Sequence, residues 1–370
     1  MRVLVTGSNG FIGKNLVLRL KELPDIEVLR FDRNDAISSL ADRVAMADVI
    51  VHLAGENRPI DESAFQEVNV LLTQALCDAI SLAKRKIPVI FASSIQAEYT
   101  NVYGQSKRAA ELVIEQFAML TGNPAVIYRL PNVFGKWCKP NYNSVVATFC
   151  HNVAHGLSIH IHDPAVRLRL LYVDDVISEF LNVINGSPQG ILRGEVVVEY
   201  SITLGELAVQ IEAFKQLRTT LLSDSVGTGF VRALYATYVS YLPPSKFAYD
   251  LPFYSDNRGV FVEMLKTKEC GQFSYFTAHP GVTRGSHYHH SKTEKFLVIR
   301  GSARFCFRHV LTNELYTLFT SGELPQVVDT VPGWAHDVTN VGEEEMVVML
   351  WSNEIFDRQH PDTIAMNVIV

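Results

Sequence analysis

The first thirteen residues constrain the fold of this chain more than any other stretch. A short apolar run at residues 3–6 leads into the loop 7–13, which reads GSNGFIG, and a helical pattern follows. Gly7 permits a tight turn, Gly10 lets the backbone approach a pyrophosphate, and Gly13 allows the helix to pack on the strand. The helix N-terminus also favours an anion. The pattern therefore predicts a parallel α/β sheet that binds a dinucleotide.

Further strand and helix patterns divide the chain into two parts. Apolar runs alternate with helical spacing as far as about residue 135, which is typical of a parallel sheet. These runs lie at 28–31, 49–53, 89–93 and 126–130. Helical patterns at 204–217 and 230–241 predict a cap over the sheet, and Pro243-Pro244 ends the second of them. Short β-rich runs between glycines follow and predict a jelly-roll barrel. We therefore expect domains at 1–243 and 244–370.

Composition and charge exclude several kinds of partner. The net charge is -6 and charges of both signs are mixed along the chain, so no nucleic-acid partner is expected. Five widely spaced cysteines without a C-x-x-C pair predict neither disulfides nor a cysteine zinc site. No apolar run approaches the roughly 20 residues of a membrane span, and the opening residues lack a leader pattern. We expect a soluble, cytoplasmic protein with no membrane partner.

The end of the second predicted strand bears on the choice of dinucleotide. Asp32 suits the ribose hydroxyl groups of NADH, whereas Arg33 suits the 2'-phosphate of NADPH. Because Arg30 lies nearby and biosynthetic reductions usually draw on NADPH, we favour NADPH. The carboxylate of Asp48, just ahead of the third strand, is predicted to accept a hydrogen bond from the adenine amino group.

A tyrosine and a lysine four residues apart follow the fourth strand, which ends at Ser93 and Ser94. Tyr103 and Lys107 form the pattern Y-x-x-x-K. Reduction of a ketone uses these residue types: a phenol gives the carbonyl oxygen its proton, an ammonium lowers the phenol pKa, and a hydroxyl holds the same oxygen. The hydride comes from a nicotinamide. The pattern predicts a carbonyl reductase.

Three more stretches resemble the extended short-chain dehydrogenase/reductase family: VHLAG at 51–55, RLPNVFG at 129–135 and YVDDV at 172–176. The resemblance covers about residues 1–240 and implies a Rossmann-type fold and a nucleotide-sugar substrate. It implies that Tyr103 and Lys107 are catalytic and that Ser94, with Ser93 as the alternative, binds the carbonyl. Either Arg167 or Arg169 is expected to bind the substrate pyrophosphate. The expected cofactor-binding residues are Thr6, Gly7, Gly10, Phe11, Ile12, Gly13, Asp32, Arg33, Asp48, Leu53, Ala54 and Arg129.

The second half contains residue types that bind metals. His287 and His289 are two apart on a predicted strand, so they share one face. Glu294 follows across a turn, and His336 comes later in the chain. Three imidazoles and a carboxylate suit zinc, and also other divalent transition metals. His290 points to the opposite face unless a bulge intervenes.

This half resembles the cupin family over about residues 250–370, on the stretch from Gly281 to Gly301. The stretches DNRGVFVE at 256–263 and TRGSHY at 283–288 also resemble the nucleotide-sugar 3,5-epimerase branch of that family. The second resemblance implies that Arg284 binds a nucleotide diphosphate and that His287 is a base. A metal-bound imidazole is a poor base, so His287 has two competing roles.

A reductase of this kind followed by a cupin is similar to the bifunctional capsule-biosynthesis enzymes of the UDP-N-acetyl-L-fucosamine pathway. The resemblance implies a UDP-sugar partner, epimerisation of a UDP-2-acetamido-2,6-dideoxy-4-hexulose at C3, and NADPH reduction at C4 to UDP-2-acetamido-2,6-dideoxy-L-talose. Two alternatives remain open: a cupin that is a non-catalytic binding or dimerisation module, and a His/Glu set that forms an iron oxygenase site. Many members of both families dimerise, so a homodimer is expected.

Overall fold

The computed structural model describes residues 1–251, 253–256, 259–262, 264–267, 271–354 and 359–369. The helices are α1 (Phe11–Lys21), α2 (Leu40–Met46), α3 (Leu72–Ala83), α4 (Val102–Thr121), α5 (Val145–His155), α6 (Val173–Gly186), α7 (Leu204–Thr220) and α8 (Gly229–Val239). The strands of the first half are β1 (Arg2–Thr6), β2 (Glu27–Phe31), β3 (Val49–His52), β4 (Val89–Ser94), β5 (Ala125–Leu130), β6 (Asn132–Phe134), β7 (Arg167–Tyr172), β8 (Ile191–Gly194) and β9 (Tyr200–Thr203).

The strands of the second half are β10 (Leu222–Ser223), β11 (Ala248–Asp250), β12 (Phe253–Asp256), β13 (Gly259–Val262), β14 (Lys266–Thr267), β15 (Gln272–Ala278), β16 (Thr283–Tyr288), β17 (Glu294–Arg300), β18 (Ser302–His309), β19 (Leu315–Ser321), β20 (Gln326–Asp329), β21 (Trp334–Asn340), β22 (Met346–Ser352) and β23 (Ile364–Ala365). The chain forms two compact units. The first contains Met1–Phe134, Asn141–Ser144 and Leu168–Ser201, and the second contains Gly135–Pro140, Val145–Arg167 and Ile202–Val370.

A six-stranded parallel sheet forms the centre of the first unit. Its strand order is β2-β1-β3-β4-β5-β8, and every neighbouring pair is parallel. The strands are nearly continuous apolar runs because both faces of such a sheet are covered. Leu4, Ile50, Phe91 and Ile127 are buried in one core cluster with side chains of α2, α3 and α4. This confirms the predicted Rossmann-type sheet.

Two five-stranded antiparallel sheets form much of the second unit. Their strand orders are β11-β20-β17-β22-β15 and β19-β18-β21-β16-β23. The predicted all-β second half is confirmed. Strand β16 has a register shift between Gly285 and His287, where Ser286 takes a φ of 63°. This bulge sets the direction of the side chains at the end of β16.

A buried ion cluster ties helix α7 to the strands of the second unit. Lys295 Nζ lies 2.6 Å from Asp329 Oδ1, and the other carboxylate oxygen of Asp329 pairs with Arg218 on α7. Burial disfavours the charge of Lys295, but Asp329 raises the pKa of this ammonium. Accordingly, residues 202–243 group with the strands in the compact units. The domain boundary between residues 243 and 244 stays a prediction.

No disulfide joins the four cysteines among the described residues, and Cys270 lies outside them. Within the described ranges, no helix combines the length and apolar character needed to cross a bilayer.

Candidate active site and metal centre

The glycine loop after β1 is shaped for close backbone approach. Gly7 has a φ of 67°, and a Cβ there would lie 2.8 Å from Ala54 Cα. A Cβ at Gly13 would overlap the carbonyl oxygen of Gly7, so this glycine is needed for α1 to pack on the loop. Helix α1 begins at Phe11, directly after Gly10. Its first turn contains Phe11 and Ile12 and no acidic side chain, so the backbone N–H groups are available for an anion.

The Thr6 side chain makes hydrogen bonds at the end of the neighbouring strand, β3. Its hydroxyl lies 2.6 Å from Nδ1 of His52 and accepts hydrogen bonds from the N–H groups of Leu53 and Ala54. The other ring nitrogen of His52 lies 2.9 Å from the Thr73 hydroxyl. Burial, and then the Lys107 cation, lower the pKa of His52 to about 3, so the ring is neutral. Thr6 therefore holds the ends of β1 and β3 together beside the glycine loop.

Asp32 and Arg33 lie at the carboxyl end of β2 and have different partners. The two carboxylate oxygens of Asp32 accept from the Ser8 hydroxyl and the Asn9 N–H of the glycine loop. The guanidinium of Arg33 lies 2.6 Å from Oε2 of Glu56, which follows β3. Both residues are at the edge of the sheet where parallel α/β folds bind nucleotides.

Asp48 lies at the opposite edge of the sheet, which contradicts its predicted contact with adenine. Its carboxylate accepts from the backbone N–H of Arg2 at 2.7 Å and pairs with Arg85 at 3.0 Å. Arg2 is the first residue of β1, whereas the glycine loop follows the last. Asp48 therefore stabilises the amino end of the sheet and is not grouped with the other expected cofactor-binding residues.

Ser94, Tyr103 and Lys107 come together at the carboxyl end of β4. Tyr103 and Lys107 lie one turn apart on α4, and the Ser94 hydroxyl lies close to the phenol of Tyr103. Burial raises the pKa of Tyr103, and the nearby Ser94 hydroxyl opposes this shift. The Lys107 ammonium donates to the Ala92 carbonyl at 2.7 Å and lies 4.5 Å from the ring centroid of Phe91. Its burial lowers the pKa of Lys107 to about 8.

Ser93 and Arg129 belong to a different structure, a buried ion network around Glu111 of α4. Glu111 accepts from the Ser93 hydroxyl at 2.6 Å and from two nitrogens of Arg129 at 2.7 and 2.9 Å. Arg108 and Arg193 also pair with this carboxylate. Burial would raise the pKa of Glu111, but these donors, led by Arg129, lower it to about 2. Ser94 is thus the serine beside Tyr103, whereas the Arg129 side chain pairs with carboxylates, and its contact with the cofactor stays a prediction.

The two arginines expected to bind a pyrophosphate both lie on β7. Arg167 and Arg169 are two apart and exposed, so they share one face of the strand. Arg169 forms a bidentate pair with Glu199 at 2.7 and 2.9 Å. The structure thus leaves the choice between the two arginines open.

Sequence reasoning missed a buried asparagine that links this region. Asn69, in a π-helical segment at Phe65–Leu71, donates to the Ser106 hydroxyl at 2.9 Å and to the Glu56 carbonyl at 3.0 Å. Its own side-chain oxygen accepts from the Glu56 N–H at 2.7 Å. The Ser106 hydroxyl donates to the Tyr103 carbonyl. No spacing rule connects Asn69 to these residues, because the contacts exist only after α4 packs on the segment.

In the second unit, the four predicted metal ligands form one cluster. The donor atoms of His287, His289, Glu294 and His336 all lie within 4.8 Å of one another. His290 is not part of this group; its backbone N–H donates to Asp362. The bulge in β16 precedes His287 and so leaves the pairing of His287 and His289 intact.

The cluster fits a divalent transition metal. Both ring nitrogens of buried His336 lack a hydrogen-bond partner among the described residues, although Nε2 points to Glu294 at 3.6 Å. Burial, followed by the neighbouring imidazoles, lowers the pKa of His287 to about 3, so this ring is in the neutral form that binds metals. The contact of His289 Nδ1 with the backbone oxygen of Asp362 orients the ring so that Nε2 faces Glu294.

The cluster opens into a cavity of about 270 Å³. Lys292, whose Nζ lies 2.7 Å from Glu294 Oε1, lines the cavity together with Phe276 and Phe296. Arg284 also lines it and stacks 5.1 Å from the ring centroid of Phe276. In the stretch 256–263, which carried part of the epimerase resemblance, Asn257, Arg258 and Glu263 lie outside the described residues.

Comparison with known proteins identifies the family. The model of the NAD dependent epimerase/dehydratase family matches residues 3–193. A protein of Pseudomonas aeruginosa, UDP-2-acetamido-2,6-beta-L-arabino-hexul-4-ose reductase, is 53% identical over 368 residues, which cover 100% of this chain and 99% of that protein. The chain belongs to the NAD-dependent epimerase/dehydratase family.

Solved structures also resemble this member of the epimerase/dehydratase family, and one of them covers both units. The Staphylococcus aureus capsular polysaccharide assembling protein CapF is 38% identical, with a TM-score of 0.66, and the match covers 99% of this chain and 100% of CapF. A Bacillus cereus UDP-glucuronic acid 4-epimerase is 18% identical, with a TM-score of 0.51 over 58% of this chain and 82% of that one, and shares the fold. A model of the polysaccharide biosynthesis C-terminal domain matches residues 254–364.

Proposed function

We propose that the first unit reduces the C4 ketone of a UDP-linked keto sugar with NADPH, and that the second unit first inverts C3 of the same sugar. The substrate is a UDP-2-acetamido-2,6-dideoxy-4-hexulose, and the product is UDP-2-acetamido-2,6-dideoxy-L-talose. The observation that supports reduction most strongly is that Ser94, Tyr103 and Lys107 come together at the carboxyl end of β4, in a chain 53% identical to a reductase of a UDP-hexulose.

In this proposal Tyr103 donates the proton that the carbonyl oxygen needs. A raised pKa keeps the phenol protonated at neutral pH, so it can act as the acid. Ser94, whose hydroxyl lies close to the phenol, holds the same carbonyl oxygen, and the Lys107 ammonium stabilises negative charge that develops on Tyr103. A bound NADPH would supply the hydride.

The partners of Asp32 and Arg33 support NADPH rather than NADH. Both carboxylate oxygens of Asp32 already accept from the glycine loop, so this acid is used in shaping the loop. Arg33 lies at the same strand end with 79% of its side chain exposed, where its charge can meet a 2'-phosphate.

The second unit is proposed to exchange the proton at C3. A hydrogen beside a ketone is acidic because the resulting carbanion delocalises into an enolate. A cation held by His287, His289, Glu294 and His336 would supply positive charge to stabilise that enolate. Arg284, which lines the cavity, is placed to bind the diphosphate. Reduction at C4 would remove the acidity at C3, so epimerisation precedes reduction.

Incubation of the keto sugar with the enzyme in heavy water, without NADPH, tests the second activity. We expect deuterium at the carbon beside the ketone, and we expect His336→Asn to slow its incorporation at least about tenfold, since loss of a ligand weakens the metal site. His279→Asn is the matched control, because this histidine of the same unit is 82% exposed. Addition of NADPH should then consume the cofactor and yield the talose sugar.

Two results would contradict parts of this proposal. If no deuterium enters the sugar while NADPH is still consumed, the second unit is a binding or dimerisation module. If NADPH is not oxidised in the presence of the keto sugar, the reductase assignment is wrong.

A further inference from the structure

The ion pair of Arg33 affects how the predicted dinucleotide site distinguishes NADPH from NADH. Arg33 follows β2 and Glu56 follows β3, on either side of β1 and its glycine loop. Their side chains meet at 2.6 Å, an ion pair at the carboxyl edge of the sheet. The guanidinium that is expected to bind a 2'-phosphate is therefore already paired with a carboxylate.

Glu56 is the fixed member of this pair. Its side chain is 13% exposed, against 79% for Arg33. Its Oε1 accepts from the Tyr142 hydroxyl at 3.1 Å, and its backbone N–H and carbonyl are both bound by the Asn69 amide. Burial disfavours the charge of Glu56, but Tyr142, the Asn57 N–H and Arg33 together lower its pKa, so it is ionised at neutral pH.

A 2'-phosphate at Arg33 must therefore compete with a neighbouring carboxylate. It has to share or replace Glu56 as the partner of the guanidinium, and it meets repulsion from the fixed negative charge. A ribose hydroxyl group carries no charge and is not affected in this way. The two forms of the dinucleotide thus differ in their interaction with Glu56.

We propose that Glu56 is a specificity-determining residue that weakens the binding of a 2'-phosphate by Arg33 and so narrows the preference of the site for NADPH over NADH. This inference rests on the proposed use of NADPH by the first unit. It means that Glu56, which follows β3, influences phosphate binding by Arg33, which follows β2.

Equilibrium binding of NADPH and NADH to the full chain, without any sugar, tests the proposal. Glu56→Gln keeps the size of the side chain and removes its charge. We expect it to tighten NADPH binding about threefold, the magnitude typical of one exposed ion pair, and to leave NADH binding within about twofold. Glu62→Gln, an exposed glutamate in the following segment, is the matched control and should change neither.

A double-mutant cycle shows whether the effect acts through Arg33. Arg33→Gln should weaken NADPH binding, and in that background Glu56→Gln should have less effect than in the wild-type chain. An unchanged ratio of NADPH to NADH affinity in Glu56→Gln, or weaker NADPH binding, overturns the inference and leaves the reductase proposal standing. Unchanged NADPH binding in Arg33→Gln overturns the NADPH assignment itself and the inference with it.

Discussion

The surroundings of Lys107 determine how easily its ammonium group loses a proton. Lys107 donates to a backbone carbonyl and lies over the Phe91 ring, but its burial disfavours the charged form more than the nearby Glu111 favours it. Its ammonium is consequently easier to deprotonate than that of an exposed lysine. The proposed reduction needs this ammonium beside Tyr103.

The lowered pKa of Lys107 predicts a pH dependence for reduction. The ammonium is present below about pH 8 and is lost as the pH rises through that value, while the raised pKa of Tyr103 keeps the phenol protonated. The kcat/KM for the keto sugar should therefore fall on the alkaline side, with a midpoint near pH 8. A value that stays constant up to pH 10 would contradict the role of Lys107.

Single residues were predictable where the relevant contact is local in sequence. Tyr103 and Lys107 are i and i+4 on a helix, and Gly7 and Gly13 act within one loop, so spacing alone identifies them. Asp48 was misassigned because its partner, the backbone of Arg2, is distant in sequence and lies at the other edge of the sheet. The partner of Arg129 was also not predictable, since Glu111 comes next to it only when α4 packs on β5, and its contact with the cofactor stays a prediction.

At the scale of elements, one buried carboxylate links helix α4 to two strands of the sheet. Glu111 joins this helix to β4 through Ser93 and to β5 through Arg129, and Tyr103 and Lys107 lie on the same helix. Together with apolar packing of α4 on the sheet, the ion network therefore positions the proposed catalytic pair.

Loss of the Glu111 charge should destabilise the first unit. Glu111→Gln removes a buried carboxylate charge from three partly exposed arginines, and we expect a loss of about 2 kcal/mol in the free energy of unfolding, measured by urea denaturation. Glu344→Gln, which breaks the exposed pair with Arg300, is the control and should leave the free energy of unfolding unchanged.

The same network predicts how this stability depends on pH. The pKa of Glu111 is lowered to about 2, so its stabilisation is complete above the usual glutamate pKa of about 4.3 and is lost as the pH falls toward 2. Glu111→Gln should lack this contribution. A variant that matches the wild-type chain in both stability and acid sensitivity would show that the network is not stabilising.

The order of elements was largely predictable, and their irregular parts were not. Apolar runs at 49–53 and 89–93 correspond to β3 and β4, because buried parallel strands require continuous apolar residues. The apolar residues of the segment that presents Asn69 have helical spacing, which does not distinguish a π-helix from an α-helix. In the second unit, the two-residue spacing of His287 and His289 predicted their shared face, whereas the contact of Asp362 with His289 spans 73 residues and left no local signal.

On the scale of the whole molecule, the two compact units contain two separate sets of chemical groups. The phenol, ammonium and hydroxyl of the proposed reductase lie in the first unit, and the His/Glu cluster lies in the second. The proposed reactions share one substrate but no side chain. A change that disables one set should therefore spare the chemistry of the other.

Tyr103→Phe, assayed for both reactions on the same keto sugar, tests this account most directly. Removal of one hydroxyl group should lower NADPH consumption by about 10²–10⁴-fold, the usual contribution of a positioned general acid. Deuterium incorporation beside the ketone in heavy water should stay within about twofold of the wild-type rate. NADPH consumption close to the wild-type rate in Tyr103→Phe would contradict the assignment of Tyr103 as the acid.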